Sequence, residues 1–131
     1  LCVGHAVQDF VFAVPELPAR AEKHRASAFA CVGGGPAATA AVAISRLGGR
    51  ALLAARIGDD PVAALIEREL ADYGVDCRHL RRFAGCASSL SAVMVDGEGE
   101  RMIVNYLDPA LPADPAWLPG ARAAGCDAVL A

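Results

Sequence analysis

Three consecutive glycines, Gly33-Gly34-Gly35, stand between an apolar run ending at Val32 and an alanine-rich run beginning at Ala37. With no side chain in the way, a ligand can approach the backbone there, and a helix start adds its positive dipole end. A turn serving packing alone rarely needs three glycines, so the cluster is read as ligand-contacting. It is not a Walker-type phosphate loop, because no Gly-Lys-Ser or Gly-Lys-Thr follows. The looser dinucleotide spacing does fit: Gly33, Gly35 and Ala38, with Asp59 about twenty residues further on. That leaves a nucleotide-dependent oxidoreductase as one alternative. Two features oppose it. Asp59-Asp60-Pro61 already suits a helix start, and the glycines follow a third strand, whereas the fingerprint belongs to the first strand of its unit.

Other reactive side chains are less organised. Cysteines stand at 2, 31, 77, 86 and 126, an odd number with no C-x-x-C pair and no histidine at zinc-ligand spacing. They read as reduced thiols, with Cys31 in core packing, and a cytoplasmic setting is expected. His5 follows a glycine but has no identifiable partner, Glu98 and Glu100 belong to a hairpin tip, and no metal site is expected.

The elements that must position these residues follow from pattern. Leu1–Val3, Phe10–Val14, Ala26–Val32 and Ala51–Ile57 read as strands. Pro36 suits a first helical turn, and the helix it opens runs through Leu47 to Gly48-Gly49. Asp60 and Pro61 open a second helix, whose Val62, Leu65, Ile66, Leu70 and Tyr73 recur at helical spacing before Gly74. Strand alternating with helix predicts an α/β layer with a largely parallel sheet. Three further strands, 75–83, 88–95 and 101–106, are expected to form a small sheet beside that layer, with Asp96-Gly97 turning a hairpin. A short helix is expected around 112–118. Another buried strand is expected at 127–131.

Composition bounds the function. Of the 131 residues, 55% are apolar and 21% charged, which suits a packed domain. Twelve basic residues against 15 acidic ones leave a net charge of -3, the wrong balance for nucleic acid. No apolar run approaches the roughly 20 residues that cross a bilayer, so no membrane partner is expected. The missing initiator Met and a last strand with nothing to cover it lead to the expectation that the chain is the amino-terminal part of a larger protein.

Taken in order, G-H-A-V-Q-D at 4–9, Leu17-Pro18, Lys23, G-G-G-P-A-A-T-A-A-V-A at 33–43, R-L-G at 46–48 and R-I-G-D-D at 56–60 resemble the PfkB (ribokinase-type) carbohydrate kinases. The resemblance covers essentially the whole chain. It implies a ribokinase-like layered α/β/α core with a small β-sheet lid, incomplete at its C-terminal side, with lid strands near 10–14, 26–32 and within 75–106. It also implies transfer of the ATP γ-phosphoryl to a sugar hydroxyl with Mg²⁺, and a homodimer formed through the lid. By the same resemblance Asp9 holds substrate hydroxyls, Gly34 and Gly35 touch the sugar, and the general-base aspartate lies beyond residue 131. The isolated 131 residues are therefore expected to be inactive. An ionised carboxylate suits the role given to Asp9, since it accepts two hydroxyl hydrogen bonds and penalises analogues that leave it unpaired.

Within the family, the glycine stretch with Lys23, S-S-x-S-A-x-M-V-D at 88–96 and R-M-I-V-N-Y at 101–106 are similar to the 6-deoxy-6-sulfofructose kinases. That similarity implies that Lys23, the only lysine, and Asn105 receive the anionic end of a ketose. Where many family members carry Asn in the glycine motif, this chain has Thr39, which departs from the ribokinase substrate pattern. A neutral-sugar kinase of the fructose or ribose type, and a non-catalytic sugar-binding module, stand as alternatives.

Overall fold

The structure is a computed structural model that describes residues 1–118 and 125–131. Two sheets share the chain. The first joins β1 (Cys2–Gly4), β4 (Leu52–Gly58) and β5 (Asp76–Phe83) in the order β1-β4-β5, all parallel. The second joins β2 (Val7–Ala13), β3 (Ala28–Gly34), β6 (Leu90–Val95) and β7 (Arg101–Tyr106) in the order β3-β2-β6-β7.

Two helices supply the crossovers of the parallel sheet. Helix α1 (Pro36–Arg46) starts on proline, whose missing N–H costs nothing in the first turn. Its Ala37, Ala38 and Ala41 are buried, and such short side chains let it lie close to β1. Helix α2 (Pro61–Asp72) is capped by Asp60, whose carboxylate accepts from the Ala63 N–H, and it buries Ala63, Ile66 and Leu70 along one stripe. These helical residues and Cys2, Leu53, Ala55 and Ile57 of the sheet form one apolar core. Fully burying a Leu or Ile contributes about 1.5–3 kcal/mol, so Leu53 and Ile57, both at 0% exposure, are main supports of this layer.

One expectation about the second sheet is corrected. Residues 76–83 do not join it; they pair in parallel with β4 as the third strand of the core sheet. The α2 crossover returns the chain beside β4, and Cys77 and Leu80 pack against the core while Arg78, Arg81 and Arg82 are exposed. The second sheet consists of β2, β3, β6 and β7 alone, with β6 and β7 joined by a hairpin. Its loop is held by Asp96, whose Oδ1 accepts from the N–H groups of Glu98 and Glu100, both at 3.0 Å.

Cys31 is also corrected, from core to surface. It lies on the edge strand β3, where every residue from Ala28 to Gly33 is exposed. The helix expected at 112–118 is only a 3₁₀ turn, Pro115–Trp117, capped by Asp114. Trp117 meets Phe83 edge-on at 6.3 Å, and Arg56 donates to the carbonyls of Leu111 and Pro112, so this segment lies along the core sheet. The buried strand expected at 127–131 is also corrected: at the other edge of the core sheet Leu130 makes a single parallel bridge to Cys2, and Val129 and Leu130 are exposed.

Candidate functional site

The lid sheet gathers polar side chains by register. Asp9 on β2 stands opposite Val32 of β3 and Ser91 of β6, and Ser91 stands opposite Asn105 of β7. Directly opposed residues share a face of a sheet, so Asp9, Ser91 and Asn105 form one polar row across three strands. Ser91 is buried, and Asn105 Nδ2 donates to its Oγ and to the Leu90 carbonyl, both at 3.2 Å. That pair of bonds fixes the amide plane and leaves the Ser91 hydroxyl proton free to be donated.

The row ends against the glycine turn. A Cβ built on Gly34 would collide with the Asp9 carboxylate, its Cγ lying only 3.0 Å away. Gly35 follows at φ +93°, a conformation that side chains rarely adopt, and a Cβ there would lie 2.5 Å from the His5 carbonyl oxygen. That carbonyl accepts from the Ala38 N–H at 3.3 Å, tying the first turn of α1 to the β1–β2 connection. Asp9, Gly34, Gly35 and the start of α1 are thus adjacent, and Asn105 joins them through Ser91. The arrangement presents a carboxylate acceptor, a hydroxyl, an amide and backbone free of side chains beside a helix N-terminus. Such a mixture suits a polyhydroxylated ligand.

Lys23 is placed elsewhere. It is exposed in the 14–27 loop, which leaves β2 at Ala13, four residues or roughly 13 Å along the strand from Asp9. That loop encloses a shallow hollow of about 470 Å³ lined by Arg20, Lys23, His24 and Arg25, with none of the row's residues in its wall. The His5 side chain is exposed, and only its backbone takes part in the turn.

The dinucleotide reading does not fit this geometry. Strand β3 is antiparallel to β2 in the lid sheet, so Gly33–Gly35 do not end the first strand of a parallel βαβ unit. Asp59 is 3.1 Å from Arg82, which also pairs with Glu67 at 2.7 Å. Asp60 is committed to the α2 cap, as its sequence context predicts. Among the described residues, no group of three or more His, Cys, Asp or Glu side chains is gathered to hold a metal ion.

Two contributors escaped sequence reasoning. Ser91 was legible only as one of several serines, and its place beside Asp9 depends on a parallel pairing between strands some eighty residues apart. Ser88 is fully buried, donating from Oγ and N to the two oxygens of Asp60, each at 2.8 Å, and accepting from the Gly58 N–H at 3.0 Å. Burial alone would raise the Asp60 pKa. The bonds from Ser88 and Ala63, with the nearby Arg82 charge, outweigh it and hold the carboxyl below its ordinary range.

A parallel core with two crossover helices, and a separate sheet bringing a polar row to a glycine turn, define an α/β protein of the ribokinase-like kind. The profile of the pfkB family carbohydrate kinases matches residues 1–127, and the chain belongs to that family. It is 39% identical to fructokinase of Escherichia coli over 80 residues, which is 61% of this chain and 26% of that protein. It is 34% identical to fructokinase-1 of Oryza sativa over 107 residues, 82% of this chain and 32% of that protein. A ribokinase-type structure from Agrobacterium tumefaciens superposes with a TM-score of 0.78 at 37% identity, over 82% of this chain and 35% of that one. Arabidopsis thaliana ribokinase, solved with ribose and ATP, gives a TM-score of 0.71 at 25% identity, covering 81% of this chain and 35% of that one. The chain therefore spans between about a quarter and about a third of the length of these relatives.

Proposed function

We propose that the protein to which this chain belongs is an ATP- and Mg²⁺-dependent kinase that phosphorylates a hydroxyl of a small ketose. The observation that carries the reading is the Asp9 carboxylate lying against Gly34, in register with Ser91 and Asn105. Asp9 would accept two sugar hydroxyls, Gly34 and Gly35 would let the ring reach the backbone, and Ser91 would donate to a third oxygen. Fructose-type substrates are supported by the names of the curated relatives. They are also supported by the Asn105 amide, whose donors are already engaged with Leu90 and Ser91. The phosphoryl-transfer machinery, including the general base, is placed outside these residues, so the 131-residue piece alone is expected to be inactive.

A second reading gives the ketose an anionic end, as in 6-deoxy-6-sulfofructose. It is favoured by Lys23, an exposed ammonium in a loop shared with Arg20 and Arg25. Under that reading Asn105 exchanges its bond to Leu90 for one to the anion.

A homodimer through the lid is part of the proposal. It is supported by one face of that sheet, on which Phe29, Met102, Val104 and Tyr106 are all exposed. Cysteines outside any disulfide suit a reducing cytoplasm.

The test is a coupled ADP-release assay on the full-length protein with Mg-ATP and fructose, 6-deoxy-6-sulfofructose, fructose 6-phosphate, ribose and adenosine. Preference for fructose is the expected result. Preference for the sulfosugar selects the second reading, and silence across the panel overturns the kinase proposal.

A further inference from the structure

The lid is joined to the core at three places, and only one of them is the glycine turn. Strands β2 and β3 enter through Gly4–Ala6 and Gly33–Gly35. Strand β6, which carries Ser91, is entered through residues 84–89, and the chain leaves β7, which carries Asn105, through residues 107–112, where Asp108 Oδ2 accepts from the Ala87 N–H at 2.6 Å. The junction at 84–89 is bonded to the core group by group. The Asp59 N–H donates to the Cys86 carbonyl at 3.1 Å, and the Gly58 N–H donates to Ser88 Oγ at 3.0 Å. Ser88 N–H and Oγ–H donate to Asp60 Oδ2 and Oδ1, each at 2.8 Å. Asp60 Oδ1 also accepts from Ala63 N–H at 2.8 Å, so a single carboxylate holds both the start of α2 and the residue that leads into the lid.

The approach is too close for any side chain on β4. A Cβ on Gly58 would lie 2.5 Å from both the Ala87 carbonyl carbon and the Ser88 nitrogen, which are backbone atoms that cannot swing aside. Ser88 has 0% exposure, so water cannot replace a lost partner at its hydroxyl. Ser91 stands three positions after Ser88, roughly 10 Å of extended chain.

We infer that Asp60 and Ser88 are positioning residues, a buried latch that sets the Ser91–Asn105 half of the lid against the core that carries the Asp9–Gly35 half of the site. They touch no sugar themselves and act through the placement of β6. The inference deepens the sugar-site reading and rests on it for its kinetic consequence, while its structural consequence stands independently. Helix capping does not explain the pair. A cap needs one oxygen aimed at α2, whereas here Oδ2 accepts from the Ser88 N–H and the capping Oδ1 accepts from the Ser88 hydroxyl as well.

The experiment uses the full-length protein with Ser88→Ala, Ser88→Thr and Asp60→Asn. Asparagine caps helices as well as aspartate does, but it offers a single oxygen, so Asp60→Asn keeps the cap and removes one half of the latch. Hydrogen–deuterium exchange is read at β6 and β7 against α2, β4 and β2, and KM is read separately for the sugar and for ATP. Ser88→Ala and Asp60→Asn are expected to speed exchange in β6 and β7 selectively. They should raise the sugar KM about tenfold with the ATP KM unchanged, in line with losing one buried hydrogen-bond partner. Ser88→Thr, which retains the hydroxyl, is expected to restore both. Unchanged exchange in β6 and β7, or exchange accelerated evenly along the chain, overturns the latch. A fall in kcat with no change in sugar KM, and no rescue by Ser88→Thr, does so as well. If the wild-type protein turns over no sugar, the kinase reading fails by itself, and exchange alone decides the latch.

Discussion

The Asp9 carboxylate occupies the space into which a side chain at position 34 would grow, with its Cγ 3.0 Å from where a Cβ on Gly34 would sit. The absence of a side chain at one residue is therefore what allows a functional group to sit at another. Gly34 itself is buried and ends β3, so neither its backbone nor β2 has room to retreat. Consequences follow for both residues and for the junctions that carry them.

Gly34→Ala is expected to leave the fold intact, because the methyl meets a side chain that can rotate. The rotation takes the carboxylate away from the sugar. Affinity for the sugar should fall at least tenfold, with the far-ultraviolet spectrum unchanged and ATP affinity retained. Isothermal titration with the preferred sugar measures this, and wild-type affinity in the variant counts against Asp9 as a sugar ligand.

Asp9→Asn preserves shape and removes the charge. A charged acceptor serving two hydroxyls contributes about 1.5–3 kcal/mol per bond, so kcat/KM for the sugar should drop by about two orders of magnitude or more. Steady-state kinetics on the full-length protein check it. Asn105→Ala should cost less with fructose, since the amide's donors are engaged within the sheet. A larger loss with the sulfosugar than with fructose, in both Lys23→Ala and Asn105→Ala, would select the anionic-end reading.

The low pKa of Asp60 makes stability depend on acid. Its carboxyl is held below the ordinary value in the folded protein, so its contribution is complete above about pH 4, the unfolded carboxyl range, and fades as pH falls through the folded pKa. Asp108 adds in the same direction, its carboxyl lowered by the Ala87 and Ala110 N–H groups. Melting temperatures of wild type and Asp60→Asn should therefore differ most near neutrality and converge toward pH 3. A constant gap across that range would show that the charge of Asp60 is not what matters.

Gly58→Ala is expected to be far more damaging than Gly34→Ala, because its methyl meets backbone rather than a movable side chain. A loss of about 3 kcal/mol, the upper end for overpacking, is expected in denaturant titration. By contrast, Arg82→Met removes ion pairs to Asp59 and Glu67 that lie at the solvent boundary, and should change stability by less than about 1 kcal/mol. If the two variants proved equally unstable, the ranking of buried close approach over surface charge would be wrong for this junction.

Much of the architecture is written locally. Pro36 behind three glycines, and Asp60-Pro61 behind a strand, determine where both helices begin, since caps and first-turn prolines act on neighbouring residues alone. The Asp96-Gly97 turn likewise predicts that β6 and β7 pair as a hairpin. Other features lie beyond local pattern. An arginine-rich strand such as 76–83 reads equally well as lid or core edge, and only the α2 crossover delivering it beside β4 decides the matter. Cys31 sits in an apolar run that resembles a core strand, yet its strand is an edge on which it is exposed. Which serine faces Asp9 depends on the register of a parallel pairing between β2 and β6, and a one-residue slip would turn every side chain to the other face. The sequence by itself determined the turns, caps and element types, because those energies are settled within a few residues. Only the tertiary structure decided the Asp9–Ser91–Asn105 row and the Asp60–Ser88 latch, because their partners meet through packing between segments distant along the chain.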